Sequence, residues 1–201
     1  MKNLVYMTSV ALIIITGFSC NQGRLTGEYY LTKEIMEEIP FNGFETIRFI
    51  TDTNKTIEMT AESRVGEIIK SYTDHSESNY YLWEREYISF RNENYSMSLV
   101  IQAMRGGIDG VRFNFFIIDG EYYFTASFKQ FGDSYEIIDS MLVNSVWLTD
   151  IYYDSVSYVP PGPIPIDLHN YPVKSYYTKT LGVVRIDFSD NTIWELEDID
   201  W

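Results

Sequence analysis

A chain of 201 residues with 45 % hydrophobic content is long enough to bury a sizeable core, as one domain or at most two small ones. Its formal charge of −14 excludes recognition of nucleic acid, or of anionic lipid headgroups, through a general electrostatic field. Aromatic residues make up 16 % of the chain, including 17 tyrosines, and with abundant Ile, Val and Thr this is strand composition. Most tyrosines in such a chain pack with the hydroxyl at the rim, so their number alone does not mark a recognition surface.

Met1–Cys20 has the order of a bacterial secretory leader: a basic end at Lys2, an apolar run from Leu4 to Phe18, and small residues before Cys20. The run falls short of the roughly 20 residues of a membrane-spanning helix. Cys20 is the only cysteine and has no intramolecular disulfide partner. Gly17-Phe18-Ser19-Cys20 resembles a loose lipobox of the kind found in Bacteroidota, where the chain is cut before a cysteine that is then acylated. Ser19 fits that pattern; Gly17 stands where Leu is usual, and Phe18 is bulky for its place. The resemblance implies a leader over 1–19, lipid (palmitate) on Cys20, a tether over 20–27 and attachment to the cell envelope at the outer membrane. An ordinary signal cleaved after Ser19 is the alternative. Loss of Lys2 with the leader makes the remainder one unit more acidic, which favours solubility of an anchored domain.

The rest, 28–201, reads as a single β domain. Glu28–Thr32 is a candidate first strand. Lys33–Ile39 is the one helical candidate, with Ile35, Met36 and Ile39 on one face and Pro40 ending it. Phe44–Ile50 and Thr56–Ala61 flank a turn at Asp52–Lys55. Val65–Tyr72 is a strand or a bent connection. Tyr80–Phe90 is a strand whose charged centre, Glu84-Arg85-Glu86, suggests a wet face or a sheet edge. Tyr95, Met97, Leu99, Ile101 and Ala103 alternate with Ser96, Ser98 and Gln102, the pattern of a half-buried antiparallel strand.

Two Asp-Gly pairs, Asp109-Gly110 and Asp119-Gly120, bracket Val111–Ile118 and predict hairpin turns, because such turns need positive φ. Tyr135–Ser140 and Ser145–Tyr153 continue as strands. No crossover helix separates them, so pairing is expected to be antiparallel. Val159–Pro172 holds five of the six prolines and predicts a stiff loop, a surface connection in its plainest reading and a groove-binding segment in its sharper one. Ser175–Phe188 and Thr192–Leu196 close the chain as strands around Asp190-Asn191, with Val184, Ile186 and Phe188 on one face. Glu197–Trp201 reads as an acidic tail. The fold class expected is all-β: an antiparallel sandwich or a strongly curved sheet or half-barrel, with at most one short helix.

Tyr176-Tyr177-x-Lys179-x-x-Gly182, followed by Trp194-Glu195-Leu196, resembles the ending of small Bacteroidota lipoproteins of unassigned function. There a "YYxKxxG" strand precedes a hairpin closing in "WxL". The resemblance implies a lipid-anchored envelope domain and assigns no catalytic residue. Gly182 in a strand also marks a bulge or close packing.

Chemistry-bearing patterns are sparse. His75 and His169 stand in loop-like sequence without the companions a zinc site needs. No G-x-S-x-G, Walker loop, dinucleotide fingerprint or complete EF-hand loop occurs. Asp187 and Asp190 read as turn residues. No catalytic, cofactor or metal site is therefore expected, and Cys20 is the sole site residue. The leading expectation is a noncatalytic, lipid-anchored protein that binds a protein, glycan or envelope component. A carrier of an apolar ligand in a curved sheet comes second, and a carboxylate-based hydrolase is a distant third.

Overall fold

The computed structural model describes residues 23–73, 79–105, 107–119, 121–128, 136–159, 168 and 170–201. The leader and Cys20, both histidines, Tyr135 and the proline-rich 160–167 lie outside the described residues.

Strands dominate. In chain order they are β1 (Arg24–Tyr29), β2 (Thr46–Thr51), β3 (Thr56–Tyr72), β4 (Asn79–Arg91), β5 (Tyr95–Met104), β6 (Gly107–Ile117) and β7 (Tyr122–Ser127). They continue with β8 (Glu136–Val143), β9 (Val146–Ser155), β10 (Ser157–Val159), β11 (Pro172–Thr178), β12 (Gly182–Phe188) and β13 (Ile193–Asp200). Among the described residues there is one short helix, α1 (Lys33–Met36); it starts where the 3.6-residue pattern predicts but ends at Met36, short of the expected Ile39. Hydrogen bonds join the strands in the order β10-β7-β6-β5-β4-β3-β2-β13-β12-β11-β9-β8, with β1 on β4. Contacts divide the chain into a smaller unit, which takes in residues up to Glu28 and Lys70–Leu82, and a larger one, Tyr29–Ile69 with Trp83–Trp201.

Within the larger unit the sheet is antiparallel and strongly curled. Phe115 of β6 and Phe188 of β12 stand six strand positions apart in that order. In a flat sheet this is about 29 Å. Their rings nevertheless meet edge to face at 5.9 Å. Tyr95 of β5 meets Trp194 of β13 at 5.0 Å, and Phe128 stacks on Tyr177 at 4.9 Å. The curl closes further where the chain leaving β9 crosses to pair with β7 as β10. There the Ser127 N–H donates to Asp154 Oδ2 at 2.9 Å. One concave face therefore holds the main core. It is built from alternate residues of β2 (Ile47, Phe49), β5 (Met97, Leu99, Ile101, Ala103), β6 (Val111, Phe113, Phe115) and β7 (Phe124, Ala126), closed by Phe188 and Trp194.

The smaller unit is a β1 segment beside the outer end of the β3–β4 hairpin. Thr26 Oγ1 donates to the Tyr80 carbonyl at 2.9 Å. Tyr72 and Tyr80 meet edge to face at 6.4 Å, and Lys70 Nζ lies 3.9 Å from the Tyr80 ring centre.

Several expectations are corrected. The tether expected through Gly27 is shorter, because Arg24–Gly27 already belongs to β1. Pairing with β4 satisfies a backbone whose polar side chains and glycine suggested a linker. Val65–Tyr72 is neither a separate strand nor a bend but the continuation of β3. Asp109-Gly110 is not a turn. Ile101 pairs with Val111 and Ala103 with Ile108, so these two residues face Gln102 alone as a bulge, with Gly110 at φ +76°. A bulge and a tight turn both need positive φ, so the dipeptide does not distinguish them. Asp119 stands in the loop joining β6 to β7, with Ile117 opposite Tyr122; Gly120 lies outside the described residues. Ser175–Phe188 is two strands joined at Lys179–Leu181. The acidic tail is not free: β13 runs on to Asp200 and pairs with β2. Val184 leaves the face of Ile186 and Phe188, because the register slips between Tyr176 and Tyr177.

Candidate functional site

The candidate surface begins with two adjacent tyrosines. Successive strand residues point to opposite faces, so Tyr177 enters the concave core while Tyr176 lies on the convex side. The residues that carry the C-terminal resemblance all have structural partners. The Tyr177 hydroxyl donates to the Glu38 carbonyl, and Lys179 Nζ pairs with Glu38 Oε1 at 3.0 Å. Gly182 sits at φ +73°, and a Cβ there would lie 2.4 Å from Phe41 Cε2. Close packing, as its sequence context suggested, is the reason for glycine. Trp194 is in the core, and Glu195 Oε2 accepts the Asn144 N–H at 2.9 Å. The motif thus fastens the 38–41 segment and the β8–β9 turn to the C-terminal strands.

Charged residues inside the larger unit are likewise committed. Arg64 pairs through Nε and Nη2 with the Glu86 carboxylate and donates to the carbonyls of Met36, Ile39 and Phe41. It therefore caps the end of α1 and holds the following loop. Glu84 Oε2 accepts the Leu31 N–H at 2.8 Å. Glu84 and Glu86 share the alternation of Ile88 and Phe90 and find partners there, whereas Arg85 on the other face pairs with Glu67 and keeps about a third of its side chain in solvent; β4 is not an edge, since it lies between β3 and β5. Glu45 is fully buried. Burial alone would raise its pKa, but the N–H groups of Asn42, Gly43, Glu45 and Phe44 outweigh it and hold the carboxyl below the usual range.

On the convex side the Tyr176 hydroxyl donates to Asp187 Oδ2 at 2.9 Å. Arg185 Nε donates to Asp187 Oδ1 at 2.6 Å, and Nη1 to Glu195 Oε1 at 3.3 Å. Burial, then the hydrogen bond and charge of Asp187, push the Tyr176 phenol up to about 12. Asp187 is thus a network residue and not a turn residue. Asp190 does act in the turn, accepting the Thr192 N–H at 2.9 Å.

Beside this network lies a small second core of Val143, Ile151, Tyr176 and Val184. It is unfinished on one side. Val143, Val146, Leu148, Leu181, Leu196 and Trp201 line a groove of about 230 Å³, with Glu197, Asp198 and Asn144 also at its wall. Val146 and Trp147 are 58 % and 69 % exposed, and Leu142, directly opposite Trp147, is exposed as well. The β8–β9 turn that presents them is a two-residue hairpin, with Asn144 and Ser145 both at positive φ. β8 is the last strand of the hydrogen-bonded order.

Sequence reasoning missed this surface. Its signal was Met141-Leu142-Val143-Asn144-Ser145-Val146-Trp147-Leu148, apolar at consecutive positions on both sides of a turn. A strand buried on one face alternates; this stretch leaves apolar side chains on the second face too.

The concave face, where an apolar ligand was expected to sit, is filled by Phe90, Phe113, Phe115, Phe124, Phe128 and Tyr177. A gap bordered by Glu38, Phe128, Tyr152 and Tyr177 holds about 10 Å³, room for one water at most. No group of three or more His, Cys, Asp or Glu among the described residues is placed to hold a metal ion. No described helix is long and apolar enough to cross a membrane. Comparison with protein-family models, with curated proteins and with solved structures finds no match for this chain.

Proposed function

We propose that this chain is a noncatalytic, lipid-anchored protein of the bacterial cell envelope that binds another protein through the groove beside the β8–β9 hairpin. The observation that carries this reading is the groove itself. Its walls are apolar, its rim holds Glu197 and Asp198, and of its lining residues Val146 and Trp201 stand more than half exposed; the Leu142–Trp147 pair lies on the opposite face of the same hairpin. Exposed aromatic and aliphatic side chains around a pocket are the features that anchor protein interfaces. The acidic rim suits a partner segment with apolar side chains flanked by Lys or Arg. Four of the less exposed carboxylates have structural partners: Glu45 holds backbone N–H groups, Glu86 holds Arg64, and Asp187 and Glu195 hold Arg185. The filled concave face weighs against the carrier reading, which a groove below the usual range of about 300–1,000 Å³ for ligand sites does not restore.

Attachment rests on the leader and on Cys20. Cys20→Ser is expected to release the protein from the membrane fraction; retention of the variant there contradicts the anchor. Binding is tested by a photo-crosslinking residue at Val146 in cells, with Lys55, an exposed turn residue, as control. One discrete crosslinked protein from position 146 and none from position 55 supports the reading. Equal, diffuse products from both positions overturn it.

A further inference from the structure

The covalent path from Cys20 to β1 is short. Three residues separate Cys20 from Arg24, the first residue of β1. Even fully extended, the four Cα steps span only about 14 Å. The polar headgroup layer on each side of a bilayer is itself about 6 Å thick, half the difference between the total and hydrocarbon thicknesses. Acyl chains on Cys20 therefore leave the start of β1 within a few residues' reach of the headgroups. What β1 carries there is the smaller unit. Leu25 is 39 % and Tyr72 44 % exposed, and Lys70 lies between the rings of Tyr72 and Tyr80, 4.9 and 3.9 Å from their centres. Tyrosine has an apolar ring with a polar tip, and lysine an apolar stem with a charged head, so both suit the boundary between headgroup and hydrocarbon.

The charge of this unit fits the same place. From Arg24 onward it holds two cations, Arg24 and Lys70, against three carboxylates, Glu28, Asp74 and Glu77. Nearly all of the acidic excess of the chain lies outside it, so this is the part least repelled by an anionic leaflet.

We infer that the smaller unit, through Leu25, Lys70, Tyr72 and Tyr80, is a second, noncovalent contact with the bilayer, resting in the headgroup layer beside the lipid on Cys20. The contact rests on the lipid-anchor reading of Cys20. It adds a defined contact where the lipid alone would leave the chain free to swivel on its tether.

Because Cys20 is the only cysteine and its thiol is consumed by acylation, an engineered cysteine is the sole site for a spin label. Tyr72→Cys and Leu25→Cys are each made in the full, lipidated chain and placed in vesicles of phosphatidylethanolamine and phosphatidylglycerol. Each is compared with the same label in a Cys20→Ser background free in solution. The contact predicts that a water-soluble relaxation agent reaches both labels several-fold less well on vesicles than in solution. Equal access at both sites, in protein whose intact mass shows the acyl groups and which floats with the vesicles, overturns the bilayer contact and leaves the anchor standing. Absence of the acyl mass overturns the anchor, and the contact with it.

Discussion

The two faces of β11 and β12 are built from neighbouring residues and finish differently. Tyr177 and Val183 enter a concave core that curls shut around aromatic rings; Tyr176 and Val184, their sequence neighbours, support a convex core that stops at an open groove. Both hydroxyls are satisfied, Tyr177 by the Glu38 carbonyl and Tyr176 by Asp187. The difference lies in what covers them. On the concave side the sheet supplies its own cover, because curling brings β6 against β12. On the convex side the β8–β9 hairpin covers only part of the core, and its tip leaves Val146 in solvent beside the groove. A face that closes on itself is devoted to stability, and one left open has area to spend on a partner.

Substitutions should separate the two faces. The largest loss is expected from Phe115→Ala, which removes a fully buried ring touching Phe188, Tyr95 and Trp194. A cost of about 3–5 kcal/mol in denaturant unfolding is anticipated. Next comes Arg64→Met, which leaves Glu86 unpaired and three carbonyls without their donor; about 3 kcal/mol is expected. The double variant Arg64→Met/Glu86→Met should be less damaging than the sum of the single changes, because it buries no lone charge. Gly182→Ala meets Phe41 and a left-handed φ together, for about 2 kcal/mol.

Smaller effects belong to the convex face. The Tyr176 phenol is raised from 10 to about 12 in the folded state. Its stabilising contribution is therefore complete below pH 10 and is lost as pH rises through about 12. Unfolding curves of the native chain and Tyr176→Phe should converge over that window; a constant gap between them would refute the assignment. Smallest of all, Glu197→Lys should change stability by no more than about 0.5 kcal/mol, since the side chain is exposed at the rim of the groove. It should nevertheless abolish crosslinking from position 146, and that split between stability and binding is what marks the convex face as functional.

Much of the concave face was legible in the sequence. Met97, Leu99, Ile101 and Ala103 stand at every second position, between Ser98, Val100 and Gln102, and all four are buried as that period requires. The turns at Asp52–Lys55 and Asp190-Asn191 were legible for the same reason: Asn54 and Asn191 take the positive φ that their neighbourhood implied. The degree of curl was not, since it depends on contacts between strands far apart in the chain, such as Tyr95 with Trp194. Glu84 and Glu86 misled because charge in a strand suggests water, whereas here Leu31 and Arg64, distant in sequence, provide the partners. Glu197–Trp201 misled because an acidic run looks solvated; the Arg48–Asp198 pair at 2.8 Å and pairing with β2 hold it in the sheet. The groove went unread because an apolar residue bound for a surface has the same composition as one bound for a core.

The most direct test of the convex surface is hydroxyl-radical footprinting of the full chain in intact envelopes and as purified protein. Trp201, which lines the groove and is 56 % exposed, is the reporter and Met104, an exposed side chain of β5, the reference. A partner on the groove predicts that Trp201 oxidation falls several-fold in the envelope while Met104 oxidation is unchanged. Equal oxidation of Trp201 in both settings would contradict the account, because the open face would then be open in its working environment as well.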